Sequence, residues 1–230
     1  MLYNTYCSIT PNFLSREDID YIHGYASKLE TIDARIGFKS KDQDAAGNTD
    51  GNTDNKIRQS TNKWLDHNDP EFNQELKQKI FDGMMAANKM SGWNYDVNDM
   101  ETWQYTYYKH QPDLPTGDYY TWHTDHGGET HIGQDGMPHH RKISMTIQLS
   151  DPLEYEGGKF QWLEPNPQFD KIKFGDKKLD IDTAVRTLPF SAQAIGSICL
   201  FPSWLYHQVT PVTRGTRVSI VGWYNGPPWT

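Results

Sequence analysis

Three observations predict a mainly β protein with flanking helices. From Glu101 onward, short segments rich in aromatic and β-branched residues recur between turn-forming residues. One of them, Lys142 to Leu149, alternates cleanly: Ile143, Met145, Ile147 and Leu149 are apolar, while Ser144, Thr146 and Gln148 are polar. Before residue 100, apolar residues instead repeat at helical spacing in two stretches. The class is α+β: a β-sandwich or barrel over 101–225, supported by a largely helical 1–100. At 230 residues with no evident linker, 1–230 is expected to be a single domain.

Taken in order, residues 1–13 read as a short strand leading to Pro11. Ser15 can cap a helix whose first turn holds Glu17 and Asp18, which suit its positive end. Ile19, Ile22, Tyr25, Ala26 and Leu29 then form its inner face. Residues 40–55 contain Gly47-Asn-Thr-Asp50 and Gly51-Asn-Thr-Asp54. A calcium loop would need a terminal Glu and flanking helices, so these turn-formers predict a surface loop, placed to act as a lid if it borders the pocket. Ile57 to Leu65 reads as a short strand and a turn. Asp69-Pro70 opens a second helix to about Met90, with Phe72, Leu76, Ile80, Phe81 and Met84 inward. Strands are expected at Trp103–Lys109, Tyr119–Asp125 and Lys142–Leu149, then at 157–162, 196–201, 206–210 and 216–224. Between Leu163 and Pro189 lies a charged insertion without a period, of a length usually functional or mobile.

Composition narrows the function. Hydrophobic content is only 36%, but 8 Trp, 13 Tyr and 9 Phe supply large burial per residue, so a folded core is expected. A formal net charge of −8 disfavours a protein that grips a phosphate backbone. Cys7 and Cys199 form neither a disulfide framework nor a zinc pattern. Cys199, in Ile198-Cys-Leu-Phe201, reads as a small buried residue. The N-terminus shows no signal peptide and no run reaches membrane-spanning length, so a soluble cytoplasmic protein is expected, with no membrane partner.

The chemistry gathers on the strands. His123 and Asp125 lie two residues apart, so on a strand both point to one side. With a distant third ligand they would make a two-His-one-carboxylate site, which suits a divalent ion such as Fe(II) and leaves positions open. His207 is the candidate. Arg217 follows ten positions later and could clamp a dicarboxylate in a bidentate pair. Ser219 shares its face, and Tyr108 on an earlier strand could add a second hydroxyl. Each signal has a plainer reading. His-x-Asp recurs by chance, His207 alone could be a core histidine, and Arg217 alone a strand-face ion pair. His110, His126, His131, His139 and His140 are read as surface or loop residues.

The run from about Glu101 to Tyr224 resembles the Fe(II)- and 2-oxoglutarate-dependent dioxygenases of the prolyl 4-hydroxylase-like group, in their PKHD-type hydroxylase branch. The resemblance rests on Gln104 with Tyr108, on Tyr120-Thr-Trp-His123-Thr-Asp125, and on Arg141-Lys-Ile-Ser with Leu149-Ser-Asp151 and Glu156-Gly-Gly158. Its most specific block runs from Gly196-Ser through Phe201-Pro-Ser203 and His207-Gln-Val-Thr-Pro-Val-Thr-Arg-Gly-Thr-Arg217 to Trp223. It implies a double-stranded β-helix (jelly roll) with N-terminal buttressing helices. It also implies iron on His123, Asp125 and His207, and 2-oxoglutarate on Arg217 with Tyr108. Fe(II), 2-oxoglutarate and O₂ would be required, with ascorbate as a reductant. Many prolyl 4-hydroxylases carry Lys where Arg217 stands, and Arg is usual in the PKHD-type branch.

The implied activity is hydroxylation of a C–H bond, in a prolyl residue of a peptide or protein, or alternatively in a free amino acid or other small molecule. Asp125 argues against a halogenase, where halide replaces that carboxylate. Tyr120, Trp122, Arg141 and Trp162 are candidate pocket residues, with core or surface roles as the plainer reading. The His126–His140 loop and the Leu163–Pro189 insertion match no part of the family pattern, which leaves the substrate open. The reading from another class is a non-catalytic jelly-roll module with a structural metal, although structural zinc prefers four ligands.

Overall fold

The computed structural model describes residues 2–3, 6–33, 57–112, 117–126, 131–132, 136–164 and 185–228. The 40–55 loop and most of the 163–189 insertion lie outside them. The first part of the chain holds β1 (Leu2–Tyr3), β2 (Ser8–Thr10), α1 (Arg16–Ser27), β3 (Ile32–Asp33), β4 (Arg58–Gln59), β5 (Thr61–Leu65), α2 (Gln74–Met90) and β6 (Asp99–Met100). Then come β7 (Trp103–Lys109), β8 (Tyr119–His123), β9 (His131–Ile132), β10 (Pro138–Gln148), β11 (Glu156–Gly157) and β12 (Phe160–Leu163). The last are β13 (Val185–Thr187), β14 (Ile198–Pro202), β15 (His207–Val209), β16 (Val212–Arg214) and β17 (Thr216–Gly226).

The major sheet runs β1-β2-β14-β10-β17-β7-β5-β3, with β6 also on β17 and β9 on β10. The minor sheet runs β13-β12-β15-β8-β4, and β11 pairs with β16. Pairing is antiparallel throughout, and residues of the two sheets meet in one inter-sheet cluster, as in a jelly roll. Residues before 100 contribute strands to both sheets as well as helices.

Helix α1 starts as expected. Ser15 accepts from the Asp18 N–H (3.2 Å) while the Asp18 carboxylate accepts from the Ser15 N–H (2.9 Å), a reciprocal cap. Helix α2 begins later than Asp69-Pro70, because Asp69 Oδ1 accepts from the Glu71 N–H (2.9 Å) and holds a turn there. Asn73 is the real cap, accepting from Glu75 and Leu76. The inner faces, Ile19, Ile22 and Ala26 with Leu76, Ile80 and Met84, bury against Ile143, Met145, Ile147, Leu149, Ile220 and Tyr224 of the major sheet.

The alternating strand at Lys142–Leu149 extends from Pro138 and is buried on both faces. Its polar residues therefore face the second sheet, not bulk solvent. The inter-sheet cluster joins Tyr108, Cys199 and Phe201 from the major sheet to Phe160, Trp162 and Val209 from the minor one. It also brings together the chain-distant Cys7 and Cys199, sulfur to sulfur 2.9 Å apart, and both remain free thiols.

Candidate metal and co-substrate site

His123 ends β8, His207 opens β15, and the two are partners in the ladder between those strands. Asp125 lies just beyond β8, not in a strand as the alternation suggested. Its N–H donates to the Ser203 carbonyl (2.9 Å), which ties the turn to the end of β14 four residues before His207. The candidate ligand atoms of His123, Asp125 and His207 all lie within 4.8 Å of one another. Asp125 Oδ1 is 3.5 Å from His123 Nε2, and Oδ2 is 3.6 Å from His207 Nε2.

The imidazoles are oriented for a ligand role. His123 Nδ1 donates to the Thr121 carbonyl (2.7 Å), and His207 Nδ1 to the Leu205 carbonyl (2.8 Å). A carbonyl only accepts, so each Nδ1 carries a proton and each ring presents its Nε2, the atom that would ligate a metal in the neutral form, on the side of Asp125. Burial, with His123 beside it, lowers the His207 pKa to about 4, despite the nearby Asp125. Burial alone would raise the Asp125 carboxyl, but His207 and His123 hold it well below the usual carboxylate range. Two imidazole lone pairs and one carboxylate around a shared point fit a divalent ion with open positions.

The major sheet also holds a buried cation. Arg217 is 2% exposed, and Tyr108 is its partner in the β17–β7 ladder. Arg217 Nη2 donates to Gln148 Oε1 (2.9 Å) and Nη1 to Ser219 Oγ (3.4 Å), and its guanidinium carbon stands 5.7 Å from the centre of the Tyr108 ring. Among the described residues, no carboxylate pairs with it. Gly158 explains why the chain needs Glu-Gly-Gly here: its φ is +55°, and a Cβ would come within 3.0 Å of Arg217 Cδ and of Val212 Cγ2. A cation held among neutral groups could take an anion, and its neighbour Tyr108 shares the inter-sheet cluster with Phe160 and Phe201, the rings packed on His207.

Residues 103–225, more than half of the chain, match the family profile of the 2OG-Fe(II) oxygenase superfamily. The chain belongs to that superfamily. Its members use Fe(II), 2-oxoglutarate and O₂, which suits the donor set just described. Among sequence relatives, a PKHD-type hydroxylase of Teredinibacter turnerae is 39% identical over 85 residues, 35% of this chain and 27% of that protein. A PKHD-type hydroxylase of Synechococcus sp. is 32% identical over 109 residues, 46% of this chain and 36% of that protein. The chain thus spans only about a third of the length of these curated relatives. A Pseudomonas putida prolyl-4-hydroxylase superposes with a TM-score of 0.55 at 16% identity, covering 96% of this chain and 93% of its own. A Trichoplax adhaerens prolyl hydroxylase, solved with a peptide fragment of a hypoxia inducible factor oxygen degradation domain, gives 0.58 at 18% identity, covering 96% and 83%. At these identities the two structures establish the jelly-roll fold.

Within this 2OG-Fe(II) oxygenase, the four candidate pocket residues separate. Strand alternation would put Tyr120 and Trp122 together, opposite His123. A bulge in β8, where Thr121 and Trp122 oppose the single Gln208 of β15, splits them. Tyr120 stacks on His123, ring centroids 3.4 Å apart. Trp122 stays on the face opposite its neighbour His123 and stacks on Tyr206 (5.7 Å), so it does not join the ligand cluster. Trp162 is buried between the sheets, in register with His207, and its indole N–H has no partner among the described residues. Arg141 makes a bidentate pair with Glu101 (2.7 and 2.6 Å) and lies 3.9 Å from the centre of the Trp223 ring.

Two residues near the site escaped the sequence reading. Gln148 was taken only as part of the polar face of its strand, yet it orients Arg217. Arg58, read only as part of a short strand, is 6% exposed, and its guanidinium stands 4.8 Å from the centre of the Tyr120 ring. The one signal for Arg58 was a lone basic residue in the otherwise uncharged run Ile57 to Asn62. Among the described residues, no helix is long and apolar enough to cross a membrane.

Proposed function

We propose that this protein is an Fe(II)- and 2-oxoglutarate-dependent dioxygenase that hydroxylates a C–H bond, with a prolyl residue of a peptide or protein as the first substrate to test. The observation that carries the reading is the convergence of two Nε2 lone pairs and the Asp125 carboxylate, together with the buried Arg217. His123, Asp125 and His207 would hold the iron, and Arg217, Ser219 and Tyr108 the far carboxylate of 2-oxoglutarate. The bound iron supplies O₂ activation coupled to conversion of 2-oxoglutarate into succinate and CO₂.

The protein's own contribution is positional. The Thr121 and Leu205 carbonyls lock both imidazoles in the ligating tautomer. Gln148 and Ser219 hold the Arg217 fork in place before the co-substrate arrives, which reduces the ordering cost of binding. The Tyr108 hydroxyl has no hydrogen-bond partner among the described residues and is available to a carboxylate. Phe160 and Phe201 pack against His207 at 5.5 and 4.7 Å between centroids and exclude water from that side.

A peptide substrate is supported by the prolyl hydroxylases that share the fold, one of them solved with a peptide. A free amino acid or small molecule is the second reading, favoured by the environment of Arg58. A structural metal module is disfavoured because three ligands leave zinc one short. The test is anaerobic addition of Fe(II) and 2-oxoglutarate, which should produce a weak visible charge-transfer band, followed by O₂ and prolyl peptides, which should raise succinate formation. Absence of both iron binding and the band would overturn the reading.

A further inference from the structure

Three arginines converge on the site, and they differ in one respect. Arg141 has its counter-charge, the bidentate Glu101 carboxylate. Arg217 and Arg58 have none among the described residues. Arg58 is as deeply enclosed as a core residue, yet its bonds go only to neutral groups: Nε to Ser60 Oγ (2.9 Å), and Nη2 to the amide oxygens of Asn62 (3.3 Å) and Gln104 (3.2 Å). Its Nη1 makes no hydrogen bond among the described residues. A buried cation with spare N–H donors and no carboxylate is costly unless an anion completes it.

Position indicates which anion. Arg58 pairs with Tyr120 in the β4–β8 ladder, its guanidinium lies against the Tyr120 ring, and that ring stacks on His123. Arg58 is therefore about one aromatic ring away from the ligand cluster. Arg217 approaches from a different sheet, on β17. One ligand with two carboxylates accounts for Arg217 and the iron, which leaves Arg58 for the molecule being oxidised. With Fe(II), doubly charged 2-oxoglutarate, Asp125 and the paired Arg141 and Glu101 in place, the two unpaired arginines leave the site one positive charge in excess. A single carboxylate cancels that excess, whereas a doubly charged phosphate would over-correct it beside Asp125.

We infer that Arg58 receives a carboxylate of the substrate, so that the oxidised molecule is a free amino acid or the C-terminal residue of a peptide and not an internal residue. This rests on the dioxygenase reading above and narrows its substrate class. Ser60, Asn62 and Gln104 are positioning residues that hold the guanidinium, and Tyr120 sets its distance from His123.

The experiment uses the full chain loaded with Fe(II) and 2-oxoglutarate. The probes are the twenty L-amino acids, their carboxamides, and prolyl peptides with a terminal proline that is free or amidated, or with an internal proline. Stimulated succinate formation should be confined to probes with a free carboxylate, and the same probes should perturb the anaerobic charge-transfer band. Free amino acids against C-terminal peptides distinguish the two sources of that carboxylate. Arg58→Met should raise half-saturation for the carboxylate substrate by about tenfold or more, the scale of one charge-assisted pair, while half-saturation for 2-oxoglutarate moves by less than about twofold. Arg58→Lys should recover part of the loss. Equal stimulation by amidated or internal-proline peptides overturns the inference, as does an unchanged half-saturation in Arg58→Met, or stimulation by no probe. If Arg58→Met does not fold, Arg58→Lys and the carboxylate-against-amide comparison on the unmodified protein decide. Absence of both iron binding and the charge-transfer band in the unmodified protein would defeat the dioxygenase reading itself, which is a separate outcome.

Discussion

The two faces of the major sheet are built from alternate residues of the same strands, and they do opposite things. Toward the helices, Ile143, Met145, Ile147 and Leu149 of β10 and Ile220 and Tyr224 of β17 are buried among apolar side chains. Toward the minor sheet, the intervening Ser144, Thr146, Gln148, Arg217 and Ser219 are buried to a similar depth. Burial of the first set stabilises the fold directly, because apolar surface leaves water. Burial of the second set costs free energy unless every polar group is matched. Among the described residues Arg217 is matched only by neutral groups, and under the proposed function its compensation would arrive with 2-oxoglutarate. One face thus carries stability, and the other, under the proposed function, would give up stability for binding.

The largest expected effect that separates the faces is at His207. His207→Ala should lower iron affinity and turnover by at least about a thousandfold, beyond the 10–100-fold typical of groups behind the ligands. The melting temperature without metal should change little, and metal content with succinate assays would check both. A large loss of stability with iron still bound would break the distinction. On the opposite face, Ile147→Ala should cost about 2–5 kcal/mol in denaturant unfolding and leave iron affinity unchanged. Arg217→Met should raise the KM for 2-oxoglutarate by about 10–100-fold without destabilising the protein, since it removes a buried charge that lacks a counter-charge. Loss of stability with an unchanged KM would mean that Arg217 serves the fold and not the ligand.

The smallest effect concerns a polar group on the apolar side. His67 packs against Trp103 (4.8 Å between centroids) and donates from Nε2 to the Glu101 carbonyl (2.8 Å). Burial lowers its pKa from the ordinary 6.5. The unfolded chain therefore takes up this proton first as pH falls. Stability is full above about pH 6.5 and declines below it, toward the lowered folded value. His67→Gln should flatten the stability profile in that window, as read from melting temperature against pH.

Much of the site was legible because most of its residues sit in patterned strands, with Asp125 two residues beyond one. His123 and Asp125 at a two-residue spacing, and the distant His207, do converge in the folded chain. The helix cap at Ser15 was equally local. The start of α2 was not, because the competing Asx turn at Asp69 and the cap at Asn73 both resemble helix openings in sequence. The placing of Tyr120 was not legible for a structural reason: the β8 bulge brings it to the side of His123, and alternation does not reveal where such an extra residue falls.

The order of donors, the alternation of β10 and the glycines beside Arg217 are properties of the chain, and together they determine the reaction class and the β architecture. They follow from local rules: side-chain spacing, backbone freedom and donor chemistry. What surrounds the site was decided in three dimensions. Arg58 reaches Tyr120 because β4 adds to the edge of β8 across 62 positions, Glu101 neutralises Arg141 across 40, and Gln148 meets Arg217 across 69. Whether a buried arginine has a partner depends on sheet register, and register is set by the packing of whole faces, not by any short stretch of sequence.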